Sequence, residues 1–267
     1  KMLTPTEIDF FWVHGYLRIP QIFTAAEIDQ MSNEMDWLIE TWASRSPGWS
    51  GAWRQQYMDP ETEKRSELIA MHDLSFYSES WMRVVTHNKL CDAMGDLLGA
   101  DVELHHSTMH VKPPETGHPF PMHQDWAFYQ HLDNRYVDVL VHLDDTCHQN
   151  GEIRFLDGSH KAGAIEHITQ QADGSGCTPH LPTDQYRLED SVAVPAQKGD
   201  VVCFNIHTVH GSAINQTKVS RRMVRLGYRH PENQQVGGQS LGRPGIMVRG
   251  CRQRQEGQSL FSNAGPR

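Results

Sequence analysis

Apolar and polar residues alternate with two different periods in the two parts of this chain. In the first hundred residues the spacing is helical. Thr4-Pro5-Thr6-Glu7 reads as a capping box with proline at the first helical position, and Thr24-Ala25-Ala26-Glu27 as a second one. The second box opens a helix predicted to run to about Arg45, with Ile28, Met31, Met35, Leu38 and Ile39 recurring along one face. Residues 46–66, rich in Gly, Ser, Trp and charge, read as loop. A further helix is predicted from Asn88 to Leu98, closed by Gly99. After Ala100 the pattern shortens to β-prone runs: VELHHSTMHV, YVDVLVHL, EIRFL, SVAVPA, DVVCFN and RRMVRLGY. Turn clusters separate them (KPPETGHP, HQNGE, LDGSHKAG, QKGD and GSAINQT). Many short strands without long helices between them predict a sandwich or barrel and argue against a parallel βαβ sheet. There is no repeat, low-complexity tract or clear linker. The expectation is one domain over 1–267, with helices in 1–100, a β core in 101–230 and an extension over 231–267.

Composition narrows the function classes. With 267 residues, 38% hydrophobic and 21% charged, the chain can bury a sizeable core and is not of the disordered class. A formal net charge of −9 argues against general nucleic-acid binding. No apolar run approaches the roughly 18 residues of a membrane span, and the N-terminal stretch lacks the pattern of a secretory signal. The five cysteines, at 91, 147, 177, 203 and 251, are odd in number, widely spaced and without a CxxC. They fit reduced thiols, and hence a cytoplasmic setting, better than a disulfide frame. Charge is uneven, with ten Lys/Arg against two Asp/Glu from Lys218 onward. Such a basic segment suits an anionic ligand or a solvated face.

Seventeen histidines invite a search for metal ligands. His123-Gln124-Asp125 is the sharpest local signal. On a strand, residues i and i+2 share a face, so the histidine and the aspartate can grip one ion. A third ligand from elsewhere would make the two-histidine-one-carboxylate set of non-haem Fe(II) oxygenases, with positions left open for substrate and oxygen. His210-Gly211-Ser212 lies far downstream, after the predicted strand VVCFN, and can bring His210 to the same ion. Arg221 opens the next strand, and an arginine there suits a bidentate bond to a dicarboxylate. His105, His106 and His110 cluster on one predicted strand, where packing is the expected role. His142 and His207 carry no ligand motif, and His160 is expected to orient a loop.

Together these pieces resemble the phytanoyl-CoA dioxygenase family of Fe(II)/2-oxoglutarate oxygenases. The resemblance rests on His123-x-Asp125, Asn150-Gly151, the Leu156–Lys161 turn and His210-Gly211-Ser212-x-x-Asn215 leading to Arg221. LTPTEIDFFWVHGYLRIPQIF and VKPPETGHPFPMHQDW are also similar. One departure is Asp157, where the family usually has proline. The resemblance implies a double-stranded β-helix, or jelly roll, with iron ligands His123, Asp125 and His210. It implies that Arg221, helped by Ser212, holds the distal carboxylate of 2-oxoglutarate, with Thr108 also at the cosubstrate. It further implies Fe(II), 2-oxoglutarate and O2 as requirements, ascorbate as the reductant in vitro, and release of succinate and CO2. Related halogenases lack the carboxylate ligand. Asp125 is present, so hydroxylation or a related oxidation of a small or mid-sized metabolite is expected, and halogenation is not.

Substrate residues are sought beside the triad. Trp126, Phe128 and Tyr129 follow Asp125 and can wall the pocket, with at least one of them expected in the core. Arg225 shares strand parity with Arg221, so both should face the interior. A buried arginine needs a partner, here either a substrate anion or an internal carboxylate. Residues 46–66, 126–136 and 163–190 are expected to supply the lid and pocket loops. Two other readings stay open, a jelly-roll binding protein without catalysis and a cupin-like enzyme using another divalent metal.

Overall fold

The computed structural model describes residues 1–253. In chain order its elements are α1 (Pro5–His14), β1 (Tyr16–Ile19), α2 (Ala25–Thr41), β2 (Ser44–Ser46), α3 (Arg54–Tyr57), α4 (Pro60–Arg65), β3 (Leu68–His72), α5 (Glu79–Val85) and α6 (Asn88–Leu98). Then come β4 (Val102–Lys112), β5 (Phe120–His123), β6 (Tyr136–His142), β7 (Ile153–Phe155), β8 (Ile168–Gln170), β9 (Gly176–His180), β10 (Val192–Val194), β11 (Val201–Asn205), β12 (His210–Ser212), β13 (Arg221–Arg229) and β14 (Ile246–Arg249).

Both predicted capping boxes form: the hydroxyls of Thr4 and Thr24 accept from the backbone of Glu7 and Glu27, whose carboxylates reach back. α2 buries Ile28, Met31, Met35 and Leu38 but ends at Thr41, four residues before the expected Arg45. The chain turns there because Ser44–Ser46 is needed as an edge strand against β3. α6 ends at Gly99 as expected. The 46–66 segment is less open than its composition suggests, since it carries α3 and α4, the latter capped by Asp59.

The strands form two main antiparallel sheets. The larger runs β1-β11-β6-β13-β4-β3-β2, with β14 also on β4, and the smaller runs β10-β7-β12-β5. This is the expected jelly-roll core. The first hundred residues give the larger sheet three of its strands, and β14 comes from the segment after 231. Period-two alternation sorts the side chains. Val137, Val139 and Val141 of β6 and Val224, Leu226 and Tyr228 of β13 join the helices in one large core. Their neighbours Leu140 and Met223 point the other way and meet Phe155 and Val194 of the smaller sheet. Burial of these two faces supplies the main stabilisation, at roughly 25 cal/mol per Å² of apolar surface.

One irregularity explains the histidine cluster. The register between β13 and β4 slips at Gly227/Tyr228, so that His106 and Leu104 have partners and His105 has none. At such a bulge two successive side chains can point to one side. His105 and His106 are both buried, and the Tyr136 hydroxyl lies 3.0 and 3.2 Å from their ring nitrogens. They belong to interior packing, as expected.

Candidate metal centre

The centre sits where the smaller sheet meets the interior of the larger one. His123 is the last residue of β5 and His210 the first of β12, and the two are direct cross-strand partners. Their rings lie 4.2 Å apart. Asp125 is not on the strand, as the i, i+2 argument supposed, but opens the turn that follows. The turn brings its Oδ1 to 3.6 Å from His123 Nε2 and 3.8 Å from His210 Nε2. Ligand atoms of all three residues fall within 4.8 Å of one another, the one such cluster among the described residues.

The donor chemistry suits a divalent ion. His123 Nδ1 donates to Pro121 O at 2.7 Å and His210 Nδ1 to Thr208 O at 2.9 Å. Each imidazole therefore keeps its proton on Nδ1 and offers the Nε2 lone pair. Burial depresses the His210 pKa to about 3, which keeps it an unprotonated ligand. Burial alone would raise the Asp125 carboxyl, yet the Arg225 guanidinium holds it well below the usual range. Asp125 is thus an ionised carboxylate, one oxygen facing the histidines and the other 2.6 Å from Arg225 Nη1.

Gln124, the middle residue of the motif, is fully buried and ties the centre together. Its amide donates to Gly163 O at 2.9 Å and His207 O at 2.6 Å, and its carbonyl accepts from Ile165 N at 2.8 Å. Both flanking loops are fixed by one side chain. Nothing in the tripeptide signalled this, because the role depends on loops 40 and 80 residues away.

A cavity opens beside the triad, lined also by Arg221, Ser212, His110, Phe120, Phe204 and Met223. Arg221 is 3% exposed. Its guanidinium reaches Met223 Sδ at 3.3 Å, and among the described residues its Nε has no partner. Burial pushes its pKa down to about 10. A buried arginine without a counter-charge is costly unless a ligand supplies one, so the residues present fit an anionic cosubstrate next to a metal.

Several expected site residues stand elsewhere. Thr108 does not line the cavity. It lies opposite Arg225 in the sheet, with its hydroxyl 3.1 Å from His72 Nδ1. His110, two residues further along β4 and nearer Met223, takes the lining position instead. Trp126 turns away and donates to His131 O at 3.1 Å. Tyr129 is fully buried and donates to the Asp138 carboxyl, 2.9 Å from each oxygen. Arg225 faces the interior as parity requires, but its counter-charge is Asp125, with the Tyr129 hydroxyl and His106 also bonded. It is an internal pairing, and its partner is a residue of the triad. Phe128 does approach the centre: its ring and that of Trp49 pack on His123, at 5.7 and 4.6 Å. Trp49, in the 46–66 segment, was not singled out by any motif.

The family model for phytanoyl-CoA dioxygenase matches residues 11–223, and the chain belongs to that family. It is 28% identical over 217 residues to a probable alpha-ketoglutarate-dependent hypophosphite dioxygenase of Stutzerimonas stutzeri, covering 80% of this chain and 74% of the relative. It is 25% identical to a methylphosphonate hydroxylase of Gimesia maris, covering 85% and 80%. It is 25% identical to an ectoine dioxygenase of Stutzerimonas stutzeri, covering 85% and 76%. Among solved structures, the alpha-ketoglutarate-dependent carbocyclase SnoK from nogalamycin biosynthesis superposes with a TM-score of 0.72 at 20% identity, covering 89% and 88%. EctD from S. alaskensis with 2-oxoglutarate and 5-hydroxyectoine gives 0.66 at 22% identity, covering 91% and 82%. The chain is accordingly an Fe(II)/2-oxoglutarate-dependent dioxygenase with a jelly-roll core.

Proposed function

We propose that this member of the phytanoyl-CoA dioxygenase family hydroxylates, or otherwise oxidises, an unactivated C–H bond of a small or mid-sized metabolite. His123, Asp125 and His210 hold the iron, and Arg221 with Ser212 holds the distal carboxylate of 2-oxoglutarate. When bound, the iron would couple the oxidative decarboxylation of 2-oxoglutarate by O2, which gives succinate and CO2 and takes one oxygen atom, to oxidation of the substrate with the other. The chain's own part is to bind, orient and exclude water. The two Nδ1–H bonds fix the imidazoles, and Arg225 fixes the outer oxygen of Asp125. Phe120, Phe204 and Met223 keep the cavity largely apolar, which strengthens the electrostatics inside it. The relatives named for hypophosphite, methylphosphonate and ectoine support a small-molecule substrate. Among the described residues no helix is long and apolar enough to cross a membrane. The five unpaired cysteines support a reducing, cytoplasmic setting.

The observation that carries the reading is Arg221, a buried guanidinium on the wall of the triad's own cavity with no acidic partner among the described residues. The test is succinate release with Fe(II), ascorbate and 2-oxoglutarate, stimulated by members of a metabolite library. His123→Ala and His210→Ala should abolish metal binding and turnover. Arg221→Ala should raise the 2-oxoglutarate requirement at least tenfold, the effect of about 1.4 kcal/mol, with metal binding little changed. Unaltered 2-oxoglutarate dependence in that variant removes Arg221 from the cosubstrate site.

A further inference from the structure

The larger sheet buries a second cation beside Arg221. Lys112 ends β4 directly opposite Arg221 of β13 and is fully buried. Its ammonium donates to Ser212 Oγ at 2.8 Å and to Ala213 O, and sits over the Phe120 ring at 5.2 Å from the centroid. No carboxylate pairs with it among the described residues. Burial, and then the charge of Arg221, pushes its pKa well below the ordinary lysine range. Gly151, which borders the cavity, leaves the room: a Cβ there would lie 2.9 Å from Lys112 Nζ and 2.3 Å from Ala213 O.

Keeping both Lys112 and Arg221 charged without a counter-charge costs stability, which is what depresses the Lys112 pKa, and an anion beside them restores the charge. The arrangement is intelligible if an anion completes it, and Ser212 is the link. A hydroxyl that accepts from an ammonium keeps its own proton for another acceptor. Lys112 occupies one side of Ser212 Oγ, and Ser212 lines the cavity. We propose that Lys112 is a positioning residue of the cosubstrate site, turning the Ser212 proton toward the distal carboxylate and adding a second positive charge beside Arg221. This rests on the 2-oxoglutarate reading above.

The test measures binding rather than turnover. Calorimetric titration of 2-oxoglutarate into Mn(II)-loaded full chain should show about tenfold weaker binding in Lys112→Met. Affinity for 2-oxopentanoate, which keeps the keto-acid head but lacks the distal carboxylate, should change less than twofold. The melting temperature should hold or rise, because a buried amine that is costly to charge has gone. Ser212→Ala should cost clearly less in the Lys112→Met background than in the wild type, since one residue acts through the other. If Lys112→Met does not fold, Lys112→Gln serves the same comparison. Unchanged 2-oxoglutarate affinity, equal losses for the two keto acids, or additive effects of the two substitutions would overturn the inference. Should Arg221→Ala also leave 2-oxoglutarate affinity unchanged, the cosubstrate reading itself fails. A loss in Arg221→Ala alone confines the failure to Lys112.

Discussion

Two arginines four residues apart on one strand face the same interior and have different fates. Among the described residues Arg221 Nε has no partner, whereas Arg225 is spent on Asp125, Tyr129 and His106. Breaking a buried pair by removing one partner typically costs 3–5 kcal/mol. Arg225→Gln should therefore lower the melting temperature by on the order of 10 °C, and Arg221→Ala should not. Calorimetry on the two variants checks this, and equal melting temperatures would contradict the pairing. Gly211 offers a second residue-scale test. A Cβ there would meet Met122 Sδ and Phe120 O, both at 2.9 Å, across the β12–β5 pair. Gly211→Ala should force those strands apart, at a cost of about 1–3 kcal/mol. Because the same pair sets His210 against His123, metal affinity should fall together with stability in a denaturant and metal titration series.

At the scale of elements, strong local signals gave correct ends and weak ones did not. The Thr24 box fixes the start of α2, and Thr24→Ala should cost about 1 kcal/mol, a few degrees of melting temperature, without affecting turnover. The short strands β5 and β12 carry the ligands yet have four and three residues, too few to show a period. The 46–66 segment reads as loop because its anchors are distant. Trp49 N donates to His118 Nε2 at 3.0 Å, and the His118 ring also meets the Ser66 hydroxyl at 3.2 Å. His118 thereby holds Trp49 beside His123, a candidate metal ligand.

The molecule as a whole buries an unusual number of neutral histidines. Burial depresses the pKa of His118 to about 2, of His105 to about 3, and of His131, His142, His167 and His207 to about 4. Each takes up its proton more readily in the unfolded chain, near pH 6.5. Protonation thus favours unfolding. Stability is full above about pH 6.5 and falls as pH drops toward these lower values, by up to about 1.4 kcal/mol per pH unit for each histidine. Thermal melts from pH 7.5 to 4.5 should show a steep decline that starts near 6.5 rather than in the carboxylate range. His118→Gln should make the slope shallower, and a flat profile down to pH 5 would contradict this account.

The sequence by itself determined the helical first part, the capped helix starts and the β-rich remainder, and it singled out the candidate triad with Arg221. These follow from periodicity, from side-chain chemistry and from a motif order that resembles one family, all of which are carried by residues near one another in the chain or by their types. Tertiary structure decided the rest. Thr108 and His110 have the same parity on β4, and only the register against β13 puts the second in the cavity and the first against His72. Arg225 had two possible partners until the turn after β5 brought Asp125 to it. Gln124, Trp49 and Lys112 acquire their roles from loops and strands 40 to 100 residues away. Such roles depend on long-range packing, for which a single chain of letters records the residue types but not the distances.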